Sequence, residues 1–345
     1  ISKKILIVPL DWGLGHISRT IPIIKELINR GHHVITCGDL VAKRIFQKEF
    51  PNTNHIIIKG YEPYYSKKVN QGFAILMQLP KFINRIIKEK NIIEKISLEE
   101  NIDIIISDNR FGLRSKSATN IFITHQLNIM GPLLVTKLIN VINRKIIKNF
   151  DHIWIPDFEN GKLSGELSKN KMKCLNIGPL SRFEKYKKDD SKILYKYLAI
   201  ISGPEPHRSL LEEEITSCFL QSNYQCAIIN GKTKENKKLI ENISVFPHLE
   251  IKDFTKLISS SELIICRSGY SSIMDLYYLQ KKVIFIPTPG QTEQEYLAKY
   301  YKKKYSISFF KQGEIDLKKQ NFNSIKKIPN PKKKLLKVAF EKVNL

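Results

Sequence analysis

The residues from Ile264 to Asp275, IICRSGYSSIMD, have the makings of an anion site. They read as a buried strand, a tight Ser268-Gly269 turn, and a helix that opens on Tyr270, Ser271 and Ser272. Backbone N–H groups and hydroxyls at a helix start are suited to holding phosphate oxygens. Arg267, just before the turn, fits either a phosphate contact or a structural ion pair. Asp275, further along the helix, can reach a ribose diol. A second apolar strand, 283–287, ends in a polar loop with Gln291, Glu293, Gln294 and Glu295, whose amides and carboxylates can read sugar hydroxyls. In chain order these parts lay out a nucleotide-sugar site.

Other strand ends carry chemistry as well. After the first strand comes Asp11-Trp12-Gly13-Leu14-Gly15-His16. Gly13 and Gly15 permit a tight turn and close approach of an acceptor. His16 titrates near neutrality and can take a proton from an attacking hydroxyl. The same pattern also fits an ordinary turn with a helix-capping His. Asp108 fits a turn former, or a group that orients a hydroxyl or fixes a histidine tautomer. Arg110 and Arg114 fit bidentate contacts to an acceptor phosphate, or structural roles. His125 is the second candidate base, with a core or capping role equally open. Ser202-Gly203 follows another strand, but Pro204 and Pro206 lack N–H donors, which leaves Arg208 to supply charge there.

The elements that must position these residues alternate. Short β-branched runs at 4–10, 33–37, 55–58, 103–107, 121–124 and 152–156 are separated by helical stretches, and 17–29 is the first helix. The plan repeats at 197–201, 225–229, 249–251, 263–266 and 283–287. Gly178-Pro179 followed by a charged run reads as a hinge. The expected result is an α/β protein with two Rossmann-like domains, 1–178 and 179–328, facing across a cleft. A basic tail helix, 329–345, is expected to return to the first domain. Ligands bind such sheets at the carboxyl ends of their strands.

This order of motifs resembles the GT-B glycosyltransferases and is most similar to the MurG-like group, which moves N-acetylglucosamine from UDP onto a lipid-linked acceptor. The resemblance implies that Ser268 and Gly269 meet the diphosphate and that Asp275 meets the ribose, where the group usually has Glu. It puts Gln294 and Glu295 at the sugar, where the group usually has Gln-Gln. It puts Phe254 near the base, with the Thr255 backbone reading the base edge. Ser202 and Gly203 fall where the group holds donor phosphates. The Gly-rich loop ending in His16, also found in PseG-type nucleotide-sugar hydrolases, would face the reacting sugar carbon. The implied reaction is an inverting transfer from a UDP-sugar to a hydroxyl of a cell-envelope or lipid-linked acceptor. A nucleotide-sugar hydrolase or 2-epimerase of the same fold is the alternative. No cofactor is expected. No metal is expected either, since no D-x-D pair and no ligand spacing occurs.

Bulk properties set outer limits. A chain of 345 residues with 42% hydrophobic content can build two cores. The net charge of +24 draws anionic partners, yet the lysines are spread widely and no nucleic-acid motif appears, so a nucleic-acid partner is not expected. A non-catalytic polyanion binder is the rival outside enzyme chemistry. Five scattered cysteines without a C-x-x-C pair point to a reducing compartment. The opening strand with no leader-like run, and the lack of a ~20-residue apolar run, predict a cytoplasmic protein. Two apolar stretches with basic rims, 71–96 and 130–147, fit helices covering the sheet. If turned outward, they would instead dock on an anionic membrane.

Overall fold

The computed structural model describes residues 1–11, 13–61, 77–131, 133–186, 192–232, 236–329 and 335–345. The described residues form two compact units, one of 1–184 plus the tail from 335, the other of 185–329. The division falls after Glu184, a few residues beyond Gly178-Pro179. Trp12, the start of the 71–96 stretch and part of the charged run after Glu184 lie outside the described residues.

The first unit is a parallel sheet of β1 (Lys4–Pro9), β2 (His33–Gly38), β3 (Asn54–Ile57), β4 (Ile104–Asp108), β5 (Thr119–Ile123), β6 (His152–Ile155) and β7 (Leu175–Asn176). Their order is β3-β2-β1-β4-β5-β6-β7. The chain winds outward from β1 through β2 to β3, then returns to the other side of β1 as β4. The loops after β1 and β4 therefore diverge, and such a switch point is where α/β sheets bind ligands. Pro9 pairs with Asp108, so the two strands end level.

Helix α1 (Leu14–Asn29) buries Ile17, Ile21, Ile24 and Leu27, the spacing of one helical face. It stops where Gly31 takes a φ of 80°, with its N–H bonded to the Ile28 carbonyl. It begins three residues earlier than the apolar period suggests, which puts His16 inside its first turn. α2 (Leu40–Glu49) follows β2, and its Asp39 cap accepts from the Ala42 N–H at 2.8 Å. α3 (Leu79–Glu99) and α4 (Leu133–Ile147) cover the sheet. α3 buries Phe82, Glu89 and Ile93 but exposes Ile83 and Ile87. α4 buries Ile147 but exposes Leu138, Val141 and Ile142. Each helix thus packs on one face and leaves a second apolar face uncovered within its unit.

The second unit holds β8 (Tyr195–Ile200), β9 (Cys226–Ile229), β10 (Lys238–Ile240), β11 (Ile243–Phe246), β12 (Ser261–Cys266) and β13 (Lys282–Phe285). Their order is β10-β11-β9-β8-β12-β13, parallel except for the β10–β11 hairpin. Its switch point lies between β8 and β12. The helices are α5 (His207–Leu220), α6 (Ile251–Ser259), α7 (Tyr270–Leu279) and α8 (Thr292–Tyr305). The strand expected at 249–251 is corrected: the strand is β11, and Ile251 opens α6. Buried Phe254, Leu257 and Ile258 follow at helical spacing, and Glu250 caps in an extended conformation. That three-residue segment, Leu249-Glu250-Ile251, is too short for its period to be read.

The tail helix α9 (Leu336–Glu341) is counted with the first unit. Its Phe340 is fully buried and stands edge-on to Trp154 at 5.5 Å. The Arg30 guanidinium lies 5.2 Å from the Phe340 ring centre and also donates to the terminal Leu345 carbonyl. Burying such a ring is worth roughly 1.5–3 kcal/mol. Among the described residues, no helix is long and apolar enough to cross a membrane.

Candidate active site

In the first unit the switch point gathers a closed set of charged groups. Asp108 ends β4 and is fully buried. After it Asn109 takes a left-handed φ of 56°, and its side-chain oxygen accepts from the Thr124 hydroxyl at 3.1 Å. That sharp turn separates Asp108 from Arg110. The Arg19 guanidinium, one turn past His16 on α1, grips both Asp108 oxygens, with Nε–Oδ2 at 2.7 Å and Nη2 on Oδ1. His16 Nδ1 lies 3.1 Å from Asp108 Oδ2. A carboxylate only accepts, so Nδ1 carries the proton and Nε2 keeps its lone pair. Arg19 Nη1 also lies 3.3 Å from His125 Nδ1.

The electrostatics follow from this geometry. Burial raises the Asp108 pKa, but the Arg19 and His16 interactions outweigh it and bring it from 3.8 to about 2. Burial lowers the His16 pKa below 6.5, and the Arg19 charge lowers it further against the opposing pull of Asp108. His16 is 15% exposed, enough for one ring edge to reach a ligand. It is therefore a neutral base at pH 7. Below pH ~6.5 the unfolded chain binds more protons at this histidine than the folded one, so stability falls as pH drops through that range. Asp108 acts in the same direction lower down: its contribution is present above 3.8 and is lost as pH falls toward 2. An NMR titration of the His16 ring is expected to give a midpoint below 6.5, and a midpoint above it would contradict this account.

Two first-unit expectations change. Arg110 is fully buried, with Nε 2.9 Å from Glu89 Oε1 and Nη2 2.7 Å from the Lys59 carbonyl. It is a structural cation and cannot meet an acceptor phosphate. His125 is 3% exposed, and its Nδ1 accepts from Arg19, so its proton sits on Nε2 and no lone pair is left for base work. Gly13, at a φ of 93°, caps α1 with open space where a side chain would stand, and Gly15 is half-buried beside it. Arg19 was missed by sequence reading. Its signal was a basic residue three positions after His16, on the same helix face.

In the second unit, Gly269 caps α7 in an extended conformation with no side-chain cap. The first helical bond is from the Ile273 N–H to the Gly269 carbonyl at 3.1 Å, so the N–H groups before it have no helix carbonyl to bond. Gly269, Ser271 and Ser272 are half-buried and Tyr270 is buried. The Tyr270 ring therefore belongs to the core. Asp275 is half-buried on α7. Burial, and then the Asp275 charge, push the neighbouring Cys266 thiol up to about 12. Beside the helix start, Gln294 Nε2 lies 3.9 Å from where a Gly269 side chain would begin. Gln294 Oε1 accepts from the Thr288 N–H at 2.8 Å, and Glu295 Oε1 accepts from the Gly290 N–H at 2.9 Å. Both side chains shape the β13–α8 loop while Gln294 keeps its amide near the helix start. Gln291 caps α8, and its Oε1 is buried with no partner in the described structure.

Several donor-site assignments are corrected. Arg267 is 1% exposed and spends its donors on the Ser202, Ile286, Pro287 and His207 carbonyls and on Gln312. Burial lowers its pKa to about 10, so it stays cationic and supplies field beneath the site without a contact. The Ser268 hydroxyl is buried and donates to the Gln294 carbonyl at 2.8 Å. Arg208 is paired with Glu205 and donates to the Asn230 carbonyl. Phe254 is 9% exposed and turned into the core of its unit. The Phe254 N–H already bonds the Glu250 carbonyl, so Thr255 lies past the unbonded first turn of α6 and its N–H is committed to the helix. Ser202 and Gly203 are exposed at the end of β8, with Gly203 at a φ of 111° that favours glycine. Among the described residues no three His, Cys, Asp or Glu side chains gather as a metal site. A cavity of about 750 Å³ lined by Arg144, Lys148 and Lys171 lies at the amino end of β6, at the opposite edge of the sheet from His16.

The glycosyltransferase family 28 C-terminal domain matches residues 205–342. An uncharacterized glycosyltransferase of Methanosarcina acetivorans is 25% identical over 325 residues, covering 85% of this chain and 81% of its own length. The UDP-N-acetylglucosamine--N-acetylmuramyl-(pentapeptide) pyrophosphoryl-undecaprenol N-acetylglucosamine transferase of Buchnera aphidicola is 25% identical over 315 residues, covering 86% of this chain and 81% of its own length. The crystal structure of Acinetobacter baumannii MurG matches with a TM-score of 0.58 at 12% identity, covering 94% of this chain and 92% of that one. The two parallel-sheet α/β domains and these likenesses show a chain with the GT-B glycosyltransferase fold whose second half matches the family 28 C-terminal domain and whose sequence is similar to MurG-like transferases.

Proposed function

We propose that the protein transfers a sugar, with inversion, from a UDP-sugar to a hydroxyl of a lipid-linked acceptor. The observation that carries the donor half is the α7 start: a first turn of N–H groups with half-buried Ser271 and Ser272, flanked by the Gln294 amide. Neutral donors of this kind suit a diphosphate, and the buried Arg267 adds positive field. In the first unit, His16 Nε2 takes the proton from the acceptor hydroxyl. The acceptor oxygen attacks the anomeric carbon from the face opposite the leaving group. The bond from that carbon to the phosphate oxygen breaks, and UDP departs with the electron pair. Asp108 keeps the His16 ring oriented and stabilises the imidazolium that forms.

The preference for a lipid-linked acceptor draws support from α3 and α4. Both expose apolar residues beside cations: Ile83 and Ile87 near Lys81 and Lys88, and Leu138, Val141 and Ile142 near Lys137 and Lys145. Such faces fit peripheral contact with an anionic membrane. MurG itself is among the structural neighbours, and the Buchnera relative is named for an undecaprenol-linked acceptor.

The test is a thermal-shift panel of UDP-, TDP- and GDP-sugars on the purified protein. A ligand at 100 times its dissociation constant adds about 2.7 kcal/mol of stability. UDP-sugars are expected to raise the melting temperature most. No shift with any nucleotide sugar would end the proposal, and free sugar released without an acceptor would move it to hydrolysis.

A further inference from the structure

We propose that Arg19 is a positioning residue that fixes opposite tautomers on two histidines at once. The guanidinium can only donate. Two of its nitrogens hold the Asp108 carboxylate, and a third meets His125. Asp108 is thereby locked as an acceptor for the His16 Nδ1 proton, which leaves His16 Nε2 as the lone-pair edge. His125, receiving Arg19 at Nδ1, must carry its proton on Nε2. One cation therefore makes one ring a base and its neighbour a hydrogen-bond donor.

The groups facing His16 are Arg19 on its own helix, Asp108 on β4 and His125 after β5. Arg19 touches both of the others directly. Arg19 is 2% exposed, so it acts through these partners and not on a substrate. Lysine in its place would keep the charge but could not span both carboxylate oxygens and His125. The tautomer assignment stands on geometry alone. Its consequence for catalysis rests on the sugar-transfer reading, with His16 as base.

Long-range ¹H–¹⁵N NMR of the histidine side chains reads the tautomers in the wild-type protein without any substrate. The expected spectrum shows His16 with a protonated Nδ1 and bare Nε2, and His125 with the reverse. Two histidines of the same tautomer would overturn the proposal, whatever the enzyme transfers. Arg19→Lys is expected to keep the fold while His125 loses its single tautomer. Arg19→Met removes a cation that disfavours imidazolium, so the acid limb of kcat/KM should move up by about one pH unit or more. If Arg19→Met does not fold, the wild-type and Arg19→Lys spectra decide alone. An unchanged His125 spectrum in Arg19→Lys, or an unmoved acid limb in a folded Arg19→Met, refutes the role. A wild-type protein with the expected spectrum and no transferase activity would refute the sugar-transfer reading and leave the tautomer device standing.

Discussion

Replacing His16 with Ala is expected to lower kcat by about 10²- to 10⁴-fold while the affinity for UDP stays within about twofold, since that is the range a positioned general base supplies. The two halves of this result have separate causes. Of the two candidate rings at the first switch point, His16 is the one that keeps its lone-pair edge, because His125 accepts from Arg19. Every diphosphate contact argued above comes from the second unit, so donor affinity has no reason to change. The fold should survive as well. Asp108 keeps both oxygens on the Arg19 guanidinium when the imidazole is gone, so no buried carboxylate is left unpaired. A loss of stability above about 2 kcal/mol would show that His16 is structural. A kcat within threefold of wild type would remove His16 as the base. Steady-state rates with a UDP-sugar, calorimetry with UDP and chemical denaturation together distinguish these outcomes.

Gly269→Asp is expected to move stability and donor binding in opposite directions. Gly269 sits at a φ of −68° and a ψ of 146°, which any residue can adopt, and a side chain there has room. Asp is a favoured helix cap and its charge suits the positive end of α7, so the variant should melt no lower than wild type. On the proposed reading, the same carboxylate would occupy the N–H groups that take the phosphate and would repel it. At about 4 Å and an effective dielectric near 20, a like-charge pair costs roughly 4 kcal/mol. UDP affinity should therefore drop at least about 100-fold. Retained binding, within tenfold of wild type, would show that the diphosphate rests elsewhere. A fall in both stability and binding would instead mean that the turn is a packing element.

These two candidate residues could be picked out in the sequence because the features that mark them are local. His16 and Gly269 each follow a short apolar strand and open a helix, and a βα turn can be read from a dozen residues. The cations were not legible. Arg110 is neutralised by Glu89, which lies on a helix well upstream. Arg208 is neutralised by Glu205, close in sequence, but the tight pairing depends on how the turn folds. Arg267 finds its acceptors among backbone carbonyls at the ends of two strands and the start of a helix. A sequence shows that an arginine is present. It does not show which carboxylate or carbonyl has already taken its donors. Phe254 failed for a related reason: its helical period begins at Ile251, a residue that by itself reads as strand.

By itself the sequence determined the alternation of strands and helices, and with it the edge of each sheet where ligands gather. Within each sheet, parallel strands joined by right-handed crossovers put the βα turns at one edge, so His16 arrives at that edge in the first unit, and Gly269 with its neighbouring hydroxyls arrives at the corresponding edge of the second. Only the tertiary structure decided which of those residues remain available to a ligand. Burial forces each charge to find a partner, and the partners come from distant parts of the chain. That requirement withdrew Arg110, Arg208 and Arg267 from the ligand. It also joined Arg19, Asp108 and His16 into one unit at the first switch point.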